Sequence, residues 1–306
     1  MRLEIHSTRL FPRGRGADQY VCTGVAARCD WVLLSDTVPP HLHLVRRTRR
    51  PRHVFLSLRF PMPALHCFAS ELLPQLDSPF VLISGSEDVT IPRQTDQRWR
   101  AYTPAERAEI QAILDHPLLL HWFAENLDEA VHAKLSPMPL GMLFGQDGRQ
   151  SSTREVPSPP PLHARPPRMF CAHRIRPGPQ WEPRRTVSRH CGQGAWKRWS
   201  TLVEEELPET HFVARIEEHA FVLCVEGGGL DPSPKAWQAI LHGAIPIVRA
   251  TPLQPAYARL PVAFVPSWDA EAITAKRLRE WHGQFAPQHD DPAARAEVVR
   301  RLGADY

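Results

Sequence analysis

The sequence contains no apolar run of the roughly 18 residues that a membrane-spanning helix needs, and its opening Met-Arg-Leu-Glu-Ile-His has no apolar leader. The expectation is a cytoplasmic protein. Cysteine is sparse, six in 306 residues, with no C-x-x-C spacing. That argues against a disulfide framework or a zinc ribbon and leaves buried thiols of a reducing compartment. The 16 histidines form no H-E-x-x-H. His41 and His43 share a face of an extended segment but lack a third ligand, so no metal site is expected. The net charge of +4 is too small to call for a nucleic-acid partner. Neither G-x-x-x-x-G-K-[ST] nor a strand-linked G-x-G-x-x-G is present, and Arg13-Gly-Arg-Gly16 lacks both the third glycine and the preceding strand. Proline, in contrast, is abundant: 32 residues, about twice the usual share of roughly 5%. This excludes long helical bundles and predicts short elements joined by stiff loops.

The length favours two domains, with hydrophobic residues at 42% supplying real cores. The densest proline stretch, Val-Pro-Ser-Pro-Pro-Pro-Leu-His-Ala-Arg-Pro-Pro at 156–167, reads as a semi-rigid connector between an N-terminal domain, 1–155, and a C-terminal domain, 168–306. Apolar runs at 31–35, 54–58 and 80–84 predict buried strands. Thr103-Pro104-Ala-Glu106 predicts a helix start with a capping box, followed by the apolar stripe Ile110, Ile113, Leu114. Beyond the connector, 168–172 reads as a strand, and a helix is expected from near Gln193 to 203–207. Trp196 and Trp199, spaced i, i+3 on that helix, read as core packing. Arg46-Arg-Thr-Arg-Arg-Pro-Arg52 is a dense basic run, read as a solvated loop or a peripheral contact with anionic lipid. A closing amphipathic helix is expected over 292–302.

The most readable stretch predicts a six-residue strand, Phe221-Val-Leu-Cys-Val-Glu226, then a loop opened by Gly227, Gly228 and Gly229. A helix over 235–242 follows, with Ser233 as N-cap, Pro234 at the first position and Gly243 as the stop. The next strand is Ala244-Ile-Pro-Ile-Val248. By the crossover rule, strand–loop–helix–strand belongs to a parallel α/β sheet. Ligands of such sheets bind at the carboxyl ends of the strands, where helix N-termini favour anions. Glu226 is placed to accept hydrogen bonds from a sugar or ribose diol, and Lys235 adds a positive charge. A carboxylate beside a cationic helix start suits a nucleoside diphosphate.

This stretch resembles the donor-site signature of the exostosin-like glycosyltransferases, F-x-L-x-P-E-G-x-G-x-D-T-x-[RK]-x-W-E-A-L-x-x-G-x-I-P-I-V. The α-1,3-fucosyltransferases carry a similar acid, lysine and Gly-x-x-Pro arrangement. Phe80-Val-Leu-Ile-Ser-Gly-Ser-Glu-Asp-Val-Thr-Ile-Pro92 is similar to the family's L-I-S-H-N-S-D-x-x-I-P. Trp122-Phe-Ala-Glu-Asn126, with Lys134-Leu and Pro139-Leu-Gly141, resembles W-F-A-x-N…K-L…P-x-G. The blocks cover about a third of the chain, in family order. The departures are Val225 for proline, Pro232-Ser-Pro234 ahead of the basic residue, Gln238 for glutamate, and Gly85-Ser86 for His-Asn.

The resemblance implies a GT-B architecture, two Rossmann-like domains facing across a cleft, with the last helix packing back on the first domain. It implies transfer of a sugar from a nucleoside-diphosphate sugar to a glycan or other hydroxyl acceptor, in bacterial surface polysaccharide or glycoconjugate synthesis. Glu226 would hold ribose or sugar hydroxyls; Gly227, Gly228, Gly229, Ser233 and Lys235 the diphosphate; Asp231 the loop or the sugar. Asp88 and Asn126 match first-domain positions on the acceptor side. Charge developing on the leaving diphosphate needs cations and N–H donors. No Asp-x-Asp is present, so a metal-independent site without cofactor is expected, with Lys235 and one of Arg174, Arg184 or Arg185 in that role. An inverting enzyme needs a carboxylate base, Asp88 first and Glu87 second; a retaining one does not. The alternatives are a non-sugar transferase on the same fold, and a non-catalytic glycan- or nucleotide-binding relative, toward which Gly85-Ser86 points.

Overall fold

The computed structural model describes residues 2–10, 22–143 and 153–306; Arg13 to Gly16 lie outside them. The chain forms two compact units, one of His6–Ser152 with Gly228–Asp231, the other of Met1–Ile5, Thr153–Gly227 and Pro232–Tyr306. They are called here the N- and C-terminal units. Both are α/β. Strand β1 (Arg2–Glu4) belongs to the C-terminal unit.

The N-terminal unit contains α1 (Gly24–Ala27), β2 (Trp31–Thr37), β3 (Pro40–Arg46), β4 (His53–Ser57), α2 (Pro61–Cys67), β5 (Phe80–Gly85), α3 (Pro104–Asp115), β6 (Leu119–Ala124) and β7 (Leu135–Pro137). Its sheet runs β3-β2-β4-β5-β6-β7, parallel throughout except for the antiparallel edge strand β3. The three predicted strands are β2, β4 and β5. Their unbroken apolar runs suit strands covered on both faces, and Val32, Phe55 and Leu82 are fully buried. Helix α3 starts as its sequence predicts. Thr103 Oγ1 accepts from the Glu106 amide at 3.2 Å, and Glu106 Oε2 accepts from the Thr103 amide at 2.7 Å. Ile110, Ile113 and Leu114 are buried.

The C-terminal unit contains β8 (Thr153–Glu155), β9 (Met169–Ala172), α4 (Glu182–Gly192), β10 (Ser200–Val203), α5 (Glu209–Glu218) and β11 (Phe221–Leu223). It continues with α6 (Lys235–Leu241), β12 (Ile245–Arg249), α7 (Gln254–Tyr257), β13 (Ala263–Val265), α8 (Ala275–Asp290) and α9 (Pro292–Arg301). A parallel five-stranded sheet, β10-β9-β11-β12-β13, is its centre. Met169, Phe221, Ile245 and Val265 carry the core, closed by Leu278 and Phe285 of α8. β1 pairs antiparallel with β8, and Ile5 bridges Gly303 just beyond α9. The proline-rich stretch 156–167 groups with this unit, and its Leu162 and Arg165 are buried. So does α9.

Three local expectations are corrected. No helix runs from Gln193 to 203–207: α4 stops at Gly192, a short 3-10 turn covers Lys197–Trp199, and 200–203 is strand β10. Glycines 192 and 194 weaken a helix there, and Thr201-Leu-Val203 suits pairing along β9. Trp196 is nevertheless fully buried, its indole donating to Ala270 O at 2.9 Å. Strand β11 ends at Leu223 instead of Glu226, because the Val225 and Glu226 carbonyls accept from Arg184 rather than from a neighbouring strand. Ser233 is not the N-cap of α6; Pro234 holds that place, and the Ser233 hydroxyl lies 3.0 Å from the Tyr257 hydroxyl.

Candidate functional site

In the C-terminal sheet, chain order leaves β9 toward β10 on one side and toward β11, β12 and β13 on the other. The order reverses between β9 and β11. The crevice beyond the carboxyl ends of those strands is where doubly wound folds take their ligands. Glu226, Lys235, Arg184 and Arg174 are all attached to this edge, since β9 leads to Arg174, β11 to Glu226, and α6 begins at Lys235.

Glu226 is 5% exposed. Its Oε1 accepts from Arg249 Nε at the end of β12, and its Oε2 from Trp268 Nε1 at 3.0 Å. Both oxygens are thus oriented. Lys235 is largely buried and its Nζ donates to the Ala172 carbonyl at the end of β9. Burial pushes its ammonium down to about 8, and nearby Arg184 works in the same direction. Arg184 spans the strand ends, with Nε to Glu226 O at 3.2 Å, Nη2 to Val225 O at 3.3 Å and Nη1 to Arg174 O at 2.7 Å. Its guanidinium stacks 4.8 Å over Trp181 and crowds Gly227. Next to it, His173 Nε2 lies 3.0 Å from Ser188 Oγ, and burial with Lys235 and Arg184 lowers the ring to about 3, so it stays neutral. Arg174 and Arg185 lie further out, on Glu206 and Glu182 respectively.

The rest of the glycine loop groups with the N-terminal unit. The Gly229 amide donates to Asp96 Oδ2 at 2.9 Å; those of Leu230 and Asp231 share Asn126 Oδ1 at 2.8 and 3.0 Å. Asn126 Nδ2 donates to Glu87 O at 3.1 Å, and Asp231 Oδ2 accepts the Leu140 amide at 2.6 Å. Gly229 has φ +61, and a side chain there would strike Asn126. Asp88, Asn126, Asp231, Gly228 and Gly229, far apart in sequence, therefore meet. Asn126 bonds the loop directly, Asp88 is held instead by Arg9 and Arg98, and three loop amides already hold side-chain oxygens.

Asp88 is 26% exposed and clamped between Arg9 Nη2 at 3.2 Å and Arg98 Nη2 at 2.8 Å. Burial alone would raise its pKa, but the two guanidiniums hold it below the ordinary value. That makes Asp88 a weak base. Glu87 accepts the Asp88 amide at 3.0 Å and faces Arg59 at 4.0 Å. The more basic carboxylate is Glu125, 1% exposed, which burial pushes up to about 7 against the pull of Arg9. Its Oε2 accepts from Thr8 Oγ1 and the Ser86 amide, both at 2.6 Å, so it is sealed off. A Cβ at Gly85 would lie 2.5 Å from that same oxygen. Gly85-Ser86 thus has a structural purpose: glycine leaves room for Glu125, and serine supplies its amide.

Sequence reasoning passed over Arg9, Asp96, Arg98, Glu125, Arg249 and Trp268. Of these, Glu125 stood inside the quoted block Trp122-Phe-Ala-Glu-Asn126; the others carry no local signal. In the basic run, Arg46 stacks 4.5 Å over Trp31 and bonds Gln75, Arg47 donates to the carbonyls of Ala26, Ala27 and Cys29, and Arg50 meets Asp77. Among the described residues, no helix is long and apolar enough to cross a membrane. No protein-family model matches this chain, and no curated protein matches it.

Proposed function

We propose that this chain is a glycosyltransferase of the GT-B class that uses a nucleoside-diphosphate sugar and works in the cytoplasm on a glycan or other hydroxyl acceptor. The observation that carries the reading is Glu226. A buried carboxylate stands beside the reversal point of a parallel sheet with both oxygens aimed by Arg249 and Trp268. A carboxylate fixed in this way suits a ribose or sugar diol, whose two hydroxyls donate to one acceptor group. The resemblance of residues 221–248 to the exostosin-like donor motif points the same way.

Departure of the diphosphate would be eased by Lys235, by the exposed guanidinium of Arg174 and by the part-buried one of Arg185, with Arg184 stiffening the strand ends nearby. These cations do the work a metal does elsewhere, so activity is expected to survive chelation. Asp88 is the carboxylate proposed to take the acceptor proton, with Glu87 as the second choice. A non-catalytic nucleotide- or glycan-binding role is the second reading. It is favoured by the double arginine clamp on Asp88 and by the loop amides already held by Asp96 and Asn126.

Thermal-shift measurements with UDP, GDP and CDP test the proposal. One nucleotide should raise Tm, with EDTA present or absent, and the rise should vanish in Glu226→Gln. No rise with any of them overturns it. Release of free sugar from the matching nucleotide sugar by the purified protein separates the enzyme from the silent binder.

A further inference from the structure

At the edge of the C-terminal sheet opposite Glu226, ahead of β9 and β12, lies a cavity of about 420 Å³. The proline-rich stretch 156–162 forms one wall, and Ala296 and Val299 of α9 form another. The volume falls in the range of small-molecule sites, which are mostly apolar with a few polar groups that fix orientation. One polar side chain stands out among those lining it. His289, in α8, is 8% exposed, and neither Nδ1 nor Nε2 has a hydrogen-bond partner among the described residues. The other well-buried imidazole of this unit is fully engaged: His219 reaches Arg215 O at 2.7 Å and Thr201 Oγ1 at 2.9 Å. A buried polar ring with nothing to bond is costly and calls for an explanation.

The charged residues around the cavity are already committed. Asp290 accepts from the Leu162 amide at 2.6 Å and from the His163 amide and ring at 3.0 and 2.9 Å. Arg295 caps the end of α6 through the carbonyls of Ile240 and Leu241. Burial, aided by Arg295 and Arg165, lowers His289 to about 3, so the ring is neutral and offers one donor and one acceptor. Asp290 and Arg295 line the cavity with opposite charges, so an ionic guest of either sign would shed its water and meet one like charge for each unlike one. We propose that this cavity binds a small uncharged ring compound bearing one hydroxyl or N–H, its ring against the prolines and its polar group on His289. The site is independent of the nucleotide reading, because it lies at the other end of the sheet.

Phenol, benzene, cyclohexanol and benzoate are the probes, titrated at millimolar concentration into the full chain. The readouts are Tm and the imidazole ¹⁵N resonances of His289, assigned by their loss in His289→Leu. Phenol should move both ring nitrogens and bind about tenfold more tightly than benzene, the worth of one net hydrogen bond. Cyclohexanol should bind more weakly than phenol, and benzoate, which meets Asp290 as well as Arg295, more weakly than phenol too. In His289→Leu the preference for phenol over benzene should disappear. Ala296→Phe, at an exposed position on the cavity wall, should block both and leave the fold intact. The proposal fails if no probe moves the His289 resonances, if His289→Leu still prefers phenol, or if phenol shifts His289 equally in Ala296→Phe. If His289→Leu does not fold, the Tm rise with phenol decides instead: it should be present in the parent and absent in Ala296→Phe, and an equal rise in both overturns the proposal.

Discussion

The amide of Gly229 donates to Asp96 Oδ2 at 2.9 Å across 133 positions of sequence. A loop composed to receive an anion thus already holds an internal carboxylate, while the neighbouring amides of Leu230 and Asp231 hold Asn126. An anion bound by the Gly229 amide must displace Asp96. In Asn126→Ala one buried and one part-buried amide lose their acceptor, which should cost about 1–3 kcal/mol. Hydrogen exchange resolves it: the Leu230 and Asp231 amides should lose protection while α3 keeps its own.

Gly85→Ala should destabilise the N-terminal unit, since its Cβ would sit 2.5 Å from Glu125 Oε2 inside a closed pocket. Relief should come from Glu125→Ala in the same chain. A double-mutant cycle followed by urea denaturation reads the coupling, expected at about 1–3 kcal/mol.

Glu125 has its pKa raised from 4.5 to about 7 in the folded protein. Between those values the native state binds more protons than the unfolded chain, so this residue makes stability fall as pH rises. The loss amounts to about 3 kcal/mol by the upper end of that window and is complete above it. Asp88, with a lowered pKa, acts in the opposite sense, and its stabilisation is lost in acid. The stability difference between the parent and Glu125→Gln, read from urea denaturation, should fall in the parent's disfavour from about pH 4 to 8, the opposite rise contributed by the neutral His173 and His289 cancelling in the subtraction.

Lys235, held near pKa 8 by burial, provides a kinetic and binding signature. If the diphosphate rests on its ammonium, nucleotide affinity should drop as pH rises through about 8, when the charge is lost. Lys235→Met should remove that pH step along with most of the affinity. A pH-independent affinity in the parent would remove Lys235 from the donor site.

Thr103→Ala should cost about 1 kcal/mol, because it unmakes the capping box of α3 without touching its buried stripe. Thermal unfolding of the parent and variant reads it directly.

The features that could be read from the chain alone share a short range. The capping box of Thr103 and Glu106, the apolar runs that became β2, β4 and β5, and the stop of α6 ahead of Gly243 depend on residues within a turn or a strand of one another. The same reasoning fails at 193–207, where the pull of an unpaired β9 edge outweighs local helix preference. At the candidate site the sequence determined which groups are offered: an acid after β11, a glycine loop, and a lysine opening α6. Tertiary structure alone decided what each one does. Arg249 and Trp268 orient Glu226, Arg9 and Arg98 neutralise Asp88, and Asp96 and Asn126 fill the loop amides. The physical reason is that desolvation and pairing act through space, between residues whose separation along the chain says nothing about how near they come.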